Sequence, residues 1–277
     1  MAQQPTSIVE QRNIAYCHTG TRDLYLDVFS PKTKATTPLP AVLIIHGGGW
    51  RSGNRSQHIP LAQQLAQRGF VAITVEYRLS TEALYPAAVY DLKAAIRWIR
   101  AHAQKYNIAT RKIAALGFSA GGQLAALLGT TNGNPTFEGT LGYSSFSSTI
   151  NAIVDLDGTL AFIHPESGEG DDSKGISAAT YWFGYNKTQK PELWNDASPL
   201  NHVNKNMPPI LFINSGVARM HAGRDDMRKQ LDTLSIYSEL HSFPEAPHTF
   251  VLFHPWFEPV LNQITLFLNK VFKTKTK

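Results

Sequence analysis

The chain has 277 residues, 43% apolar and 17% charged, with 20 Gly and 16 Pro. These proportions exclude collagen-like, disordered and disulfide-scaffold classes and allow a sizeable buried core. The 26 basic and 21 acidic residues leave a net charge of +5. The basic residues are scattered, apart from Lys273, Lys275 and Lys277 in what reads as a frayed tail, so no nucleic-acid partner is expected.

No apolar run approaches the ~18 residues of a membrane-spanning helix, so no membrane partner is expected. The single Cys17 has no internal disulfide partner. The opening Met1-Ala2-Gln3-Gln4-Pro5 lacks the basic and apolar segments of a signal peptide, yet Ala2 to Pro5 resembles the start of a mature secreted chain. A secreted or periplasmic location is expected, with the cytoplasm as the alternative. Oligomeric state is left open.

Residues 13–18 and 22–30 alternate around a Gly20-Thr21 turn and predict a hairpin. Residues 41–45 form an unbroken apolar run, as a strand buried on both faces should. A helix over 57–68, a strand over 71–75 and a long helix from Pro86 follow, the last with Val89, Leu92, Ile96 and Ile99 on one face. The spacing then predicts a strand at 112–116, a helix at 119–129 and a strand at 152–156. After an irregular stretch comes a strand at 210–213 and a helix marked by Met227, Leu231 and Leu234. A strand at 236–242 precedes a closing helix carrying Val260, Ile264, Phe267, Leu268 and Val271.

Strands alternating with helices predict an α/β fold: a mainly parallel sheet of about eight strands, helices on both faces, ligands at the carboxyl ends of the strands. Residues 160–205 break the pattern and read as a lid-like excursion from one domain spanning 1–277. Their Tyr181, Trp182, Phe183 and Trp194 either stack on a sugar or anchor the excursion to the core.

Gly117-Phe118-Ser119-Ala120-Gly121 lies between a predicted strand and a predicted helix, the setting of a G-x-S-x-G nucleophile elbow. His46-Gly47-Gly48-Gly49-Trp50 follows another strand. Its consecutive glycines leave N–H groups unshielded, so Gly48, Gly49 and the Ala120 amide are candidate oxyanion donors. A phosphate cradle is the rival reading, but the Lys-Ser/Thr ending of a P-loop is missing. A serine hydroxyl needs a base, and His248, in a loop after the last strand, suits the order Ser…acid…His. His46 reads as a shaper of the glycine loop. No cysteine cluster or H-E-x-x-H is present, so neither metal nor other cofactor is expected.

Over about residues 20–272 the chain resembles the α/β-hydrolase superfamily, in its esterase branch with an HGGGW-type oxyanion loop. It is similar there to hormone-sensitive-lipase-like and feruloyl/acetyl-xylan-esterase-like enzymes. The carrying stretches are residues 46–50, 77–79, 85–91, 117–122 and Pro247-His248. The C-terminal third, with Arg219-Met220-His221-Ala222-Gly223-Arg224-Asp225, is similar to hydrolases found beside plant-cell-wall and pectin-degrading enzymes. The resemblance implies a serine esterase acting on an acyl or methyl ester of a plant polysaccharide of pectin or xylan type. A small-molecule carboxylesterase or lipase is the enzymatic alternative. A non-catalytic carbohydrate-binding protein on the same scaffold is the alternative from another class.

The family's usual acid follows the seventh strand by four or five residues, where this chain has Ala218, Arg219 and Met220. Two carboxylates remain as catalytic candidates: Asp157, at the end of the sixth strand, and Asp225, near the start of a later helix. Arg219 and His221 occupy the vacated loop and, with Trp50, form the candidate substrate-binding set. The Arg219 fork suits a uronate carboxylate, whereas a salt bridge to Asp225 or Glu76 is its structural alternative.

Overall fold

A computed structural model describes residues 7–33 and 35–273. The Ala2 to Pro5 opening and the tail beyond Lys273 lie outside these residues. The elements in chain order begin with β1 (Ile8–His18), β2 (Asp23–Pro31), β3 (Leu39–Ile45), α1 (Ile59–Gln67), β4 (Val71–Val75), α2 (Ala87–Ala101) and α3 (Ala103–Tyr106). The nucleophile region is β5 (Ile108–Phe118) followed by α4 (Ala120–Thr130), then β6 (Ala152–Leu156), α5 (Ala178–Phe183) and α6 (Pro191–Asp196). The chain closes with β7 (Ile210–Asn214), α7 (Arg224–Thr233), β8 (Ser238–Ser242) and α8 (Phe257–Lys273).

The eight strands form one sheet in the order β1-β2-β4-β3-β5-β6-β7-β8. β1 pairs antiparallel with β2, and β2 with β4, while the remaining pairings are parallel. This is an α/β-hydrolase fold. The central strands β3, β4, β6 and β7 and the second half of β5 are buried and mostly apolar because both faces are covered, with Thr74, Asp155 and Asn214 as buried polar exceptions. Alternate residues then serve separate cores: Leu43, Ile45 and Ile153 face the layer containing α2 and α4, whereas Val42, Ile44 and Val154 face α1 and α8.

Residues 160–205 are less irregular than their sequence suggests, since they hold α5 and α6. Weak periodicity hid them because each helix has 6 residues, under two turns. Trp182, Phe183 and Trp194 are fully buried and pack on Phe162 and on one another. Of the two readings for the aromatic cluster, these three take the core. Tyr181 stays exposed, with the Arg51 guanidinium 3.7 Å over its ring. Leu234 caps α7 instead of packing beneath it and is exposed. Among the described residues no helix is long and apolar enough to cross a membrane.

Two imidazoles are sealed inside. His46 stacks on Tyr77 at 4.4 Å, and His58, at the start of α1, meets the Phe118 ring edge-on. Burial pushes His46 down to about 4 and His58 down to about 3. In the unfolded chain both would take up a proton below about pH 6.5. The unfolded state therefore binds more protons between pH 6.5 and these folded values, so stability is full above that window and falls as pH drops through it. For His58 alone the loss at pH 5 is about 2 kcal/mol. Urea unfolding of His58→Gln should show a shallower fall in stability from pH 7 to pH 5 than the parent chain, whatever the substitution costs at pH 7. Equal slopes would mean that His58 is not held neutral.

Candidate active site

The site is assembled where β3, β5, β6 and β8 run out at one edge of the sheet. Ser119 follows β5 directly and caps α4 with φ 57° and ψ −121°, a strained conformation for a non-glycine residue. Its amide is held by the Leu156 carbonyl at 2.8 Å. The turn is so tight that a Cβ on Gly117 would lie 1.9 Å from the Gly121 carbonyl, and one on Gly121 would lie 2.2 Å from the Ile45 carbonyl. Small residues at both positions let the nucleophile turn nest against the end of β3.

Ser119 Oγ is 2.9 Å from His248 Nε2, and His248 Nδ1 is 3.0 Å from Asp157 Oδ2. The imidazole is half-buried and tilts against the Phe118 ring at 5.0 Å. Its loop is fastened to the end of β7: Phe243 donates to Asn214, and Gly216 donates to Ala246. Asp157 is fully buried, with φ 55°. Besides His248, its carboxylate accepts hydrogen bonds from the Ser215 amide at 2.8 Å, from the Ser215 hydroxyl and from the Asn214 side chain. With Nδ1–H donating to this carboxylate, Nε2 is left free to take the Ser119 proton.

Asp225 is a correction. It lies exposed in the first turn of α7, paired with Arg224, where helix-terminal N–H groups and a cation favour a carboxylate without any role at the serine. Asp157 belongs to the end of β6, yet its carboxylate reaches across to Ser215 at the end of β7.

Gly48, Gly49 and Ala120 have amides with no acceptor among the described residues. Gly49 and Ala120 face a cavity of about 170 Å³ beside Ser119, whose other walls are Trp50, Thr159, Glu169, Arg219, Met220 and His248. Gly48 lies one residue back, at φ 122°, with its carbonyl accepting from the Arg51 and Ser52 amides. A left-handed glycine here turns the loop so that successive amides point away from the protein's own carbonyls. His46 supports the loop from beneath: its Nδ1 is 2.7 Å from the Gly47 carbonyl, and the Tyr77 hydroxyl donates to the His46 carbonyl.

Two substrate-site expectations change. Trp50 is nearly buried, stacks on Trp182 at 4.8 Å and donates to Gln123, so it is chiefly a pin between the glycine loop and the excursion, with one side on the cavity. His221 does not line the cavity. Its Nε2 sits 3.7 Å from Asp157 Oδ1 without a hydrogen-bond partner, and burial lowers its pKa against the pull of that carboxylate. Arg219 does line the cavity and makes no salt bridge to Asp225 or Glu76. Those carboxylates are taken by Arg224 and by Arg22 and Arg55.

Glu169 and Asp155 carry signals that sequence reasoning missed. Glu169 sits in a Gly-rich run with no periodicity, and only the folded excursion brings it to the cavity wall. Asp155 accepts from the Gly158 amide at 2.9 Å, closing the turn that presents Asp157. Burial raises its pKa well above the carboxylate range, and the neighbouring Asp157 adds to the shift. The Asp-Leu-Asp-Gly spacing was its only sequence sign. Among the described residues no group of three or more His, Cys, Asp or Glu side chains is placed to hold a metal ion.

The model of the BD-FAE family matches residues 26–218, more than half of the chain. The chain belongs to the BD-FAE family. Esterase LipC of Mycobacterium tuberculosis is 30% identical over 265 residues, covering 91% of this chain but 63% of its own length. The chain therefore spans less than two thirds of that relative. Among solved structures, a bifunctional GH43-CE protein of Bacteroides eggerthii superimposes with a TM-score of 0.81 at 26% identity, over 95% of this chain and 38% of the other. A truncated carbohydrate esterase from gut microbiota gives 0.76 at 26% identity, over 98% of both chains. In this family member Ser119, His248 and Asp157 form one hydrogen-bonded relay beside the Gly49 and Ala120 amides, unpaired among the described residues.

Asp157→Asn should slow labelling of Ser119 by a fluorophosphonate by about 10⁴-fold, because the amide no longer fixes the imidazole tautomer. Asp225→Asn should leave the labelling rate within about twofold, as expected of an exposed pair. Mass spectrometry of the labelled peptide measures both rates. A large loss in Asp225→Asn instead would reassign the acid.

Proposed function

We propose that this protein is a serine carboxylic-ester hydrolase acting on a short acyl or methyl ester of a plant polysaccharide. The observation that carries the reading is the hydrogen-bonded relay from Ser119 through His248 to Asp157, opening onto a small polar cavity. Ser119 Oγ attacks the ester carbonyl as His248 Nε2 takes its proton. The Gly49 and Ala120 amides, with Gly48 behind them, hold the oxyanion. Collapse expels the alkoxide, which receives the proton from His248, and leaves an acyl-serine. Water activated by the same imidazole then releases the acid and restores Ser119.

The polysaccharide part is supported by the structural neighbour described as a carbohydrate esterase, by the likeness to the GH43-CE protein and by the cavity itself. Its volume equals roughly five or six water molecules, which suits an acetyl or methyl group. Charged walls at Glu169 and Arg219 disfavour a lipid tail. The complete relay argues against a carbohydrate-binding protein without catalysis.

Methanol and acetate released from methylated pectin and acetylated xylan test the reading, with Ser119→Ala as control. One product should appear and fall by about 10³-fold or more in the variant. Cleavage of a short aryl acetate without either product would keep the esterase and remove the polysaccharide.

A further inference from the structure

We propose that Arg219 and Glu169 form a two-point subsite for an acidic sugar, in which Arg219 binds the carboxylate and Glu169 accepts hydrogen bonds from ring hydroxyls. For its reaction this rests on the esterase reading above, and for its binding it does not. The inference starts from what Arg219 lacks. Arg55, Arg78, Arg97 and Arg224 each hold a carboxylate within 3.1 Å. Arg219, on the cavity wall beside the nucleophile, has no hydrogen bond or ion pair among the described residues. Its side chain is nonetheless placed, because it packs along Gly168, where a Cβ would come within 3.1 Å of Arg219 Cδ. Exposed at the cavity wall and without a protein acceptor, its guanidinium is matched by a planar oxyanion such as a carboxylate.

Glu169 supplies the second point. It faces the same cavity from the excursion, and its carboxylate accepts from the Ala179 amide at 3.3 Å. That leaves acceptor capacity directed at the cavity. Burial raises its pKa, while the Ala179 amide and the Arg219 charge act in the other direction. A ligand offering a carboxylate to Arg219 and hydroxyls to Glu169 leaves neither group desolvated and unpaired. Sugar acids carry both. Neutral sugars answer only Glu169, and simple fatty acids answer only Arg219, which makes the pair a specificity device.

The direct test titrates galacturonate and galactose onto the Ser119→Ala protein by calorimetry, so that binding is read without turnover. Galacturonate should bind about tenfold or more tightly, the range of a charged hydrogen bond. Arg219→Met retains the stem along Gly168 and should erase that preference. Glu169→Ala should weaken both sugars, and Glu169→Gln should widen the preference for the acid by removing a like charge. Equal affinity for the two sugars, or a preference surviving in Arg219→Met, would overturn the subsite. Hydrolysis of a short aryl acetate by the parent chain is measured alongside. Hydrolysis with no acid preference removes the subsite alone. Acid preference with no hydrolysis keeps the subsite and removes the esterase.

Discussion

The site depends on one buried carboxylate that joins two strands. Asp157 leaves β6, but its oxygens are held by Ser215 and Asn214 at the end of β7 and by His248 from the loop after β8. A carboxylate without exposure to water is tolerated only when its acceptor sites are filled. Here the groups that fill them also position the base. Parallel pairing of β6 with β7 brings the two strand ends side by side, with Leu156 opposite Ile213, so the acid can sit on either strand and present its oxygens to one point. Chain position and spatial position are separable in such a sheet. Asp155, two residues earlier and also buried, is driven toward the neutral form and braces the turn. Two neighbouring carboxyls therefore have different roles, set by the number of donors around each.

A second constraint binds the excursion to the sheet. Trp50 Nε1 donates to Gln123 Oε1, and Gln123 Nε2 donates to the Ala197 carbonyl. One buried amide thus connects the glycine loop, the helix behind the nucleophile and residues 160–205. Stacking of Trp50 on Trp182 adds an apolar layer to the same junction. Moving the excursion away would strand the Gln123 side-chain N–H and the Ala197 carbonyl without partners, at a cost of about 1–3 kcal/mol each. A fixed wall fits this packing better than a mobile lid.

The fold was readable because its signals are local. The short strands read at 41–45, 71–75 and 152–156 are the central strands β3, β4 and β6, and the periodicities from Val89 to Ile99 and from Val260 to Val271 are α2 and α8. Ser119 and His248 were readable because each is bound to chain features, a strand-to-helix turn of small residues and the loop closing the last strand. The choice between Asp157 and Asp225 was not, since both stand beside turn or helix-start residues and only lateral strand order separates them. Trp50 looked like a binding residue because its motif adjoins the oxyanion loop, but its buried partners come from residues 73 and 132 positions away. Glu169 had no local signature at all, because long-range packing alone delivers it to the cavity.

The relay and the cavity's charged walls are consequently built from different materials. The relay uses groups at the ends of the sheet strands, where backbone pairing fixes their separation. The cavity's charged walls come from the excursion and from the loop after β7, segments that tolerate replacement without disturbing the sheet. Arg219 stands in the loop where the resemblance places an acid, while Asp157, after β6, takes the His248 Nδ1 hydrogen bond. With a carboxylate at position 219, the cavity would face an incoming sugar acid with like charge. With Asp157 buried under the loop and an arginine above it, the same backbone places a cation at the cavity wall and a carboxyl group behind the histidine.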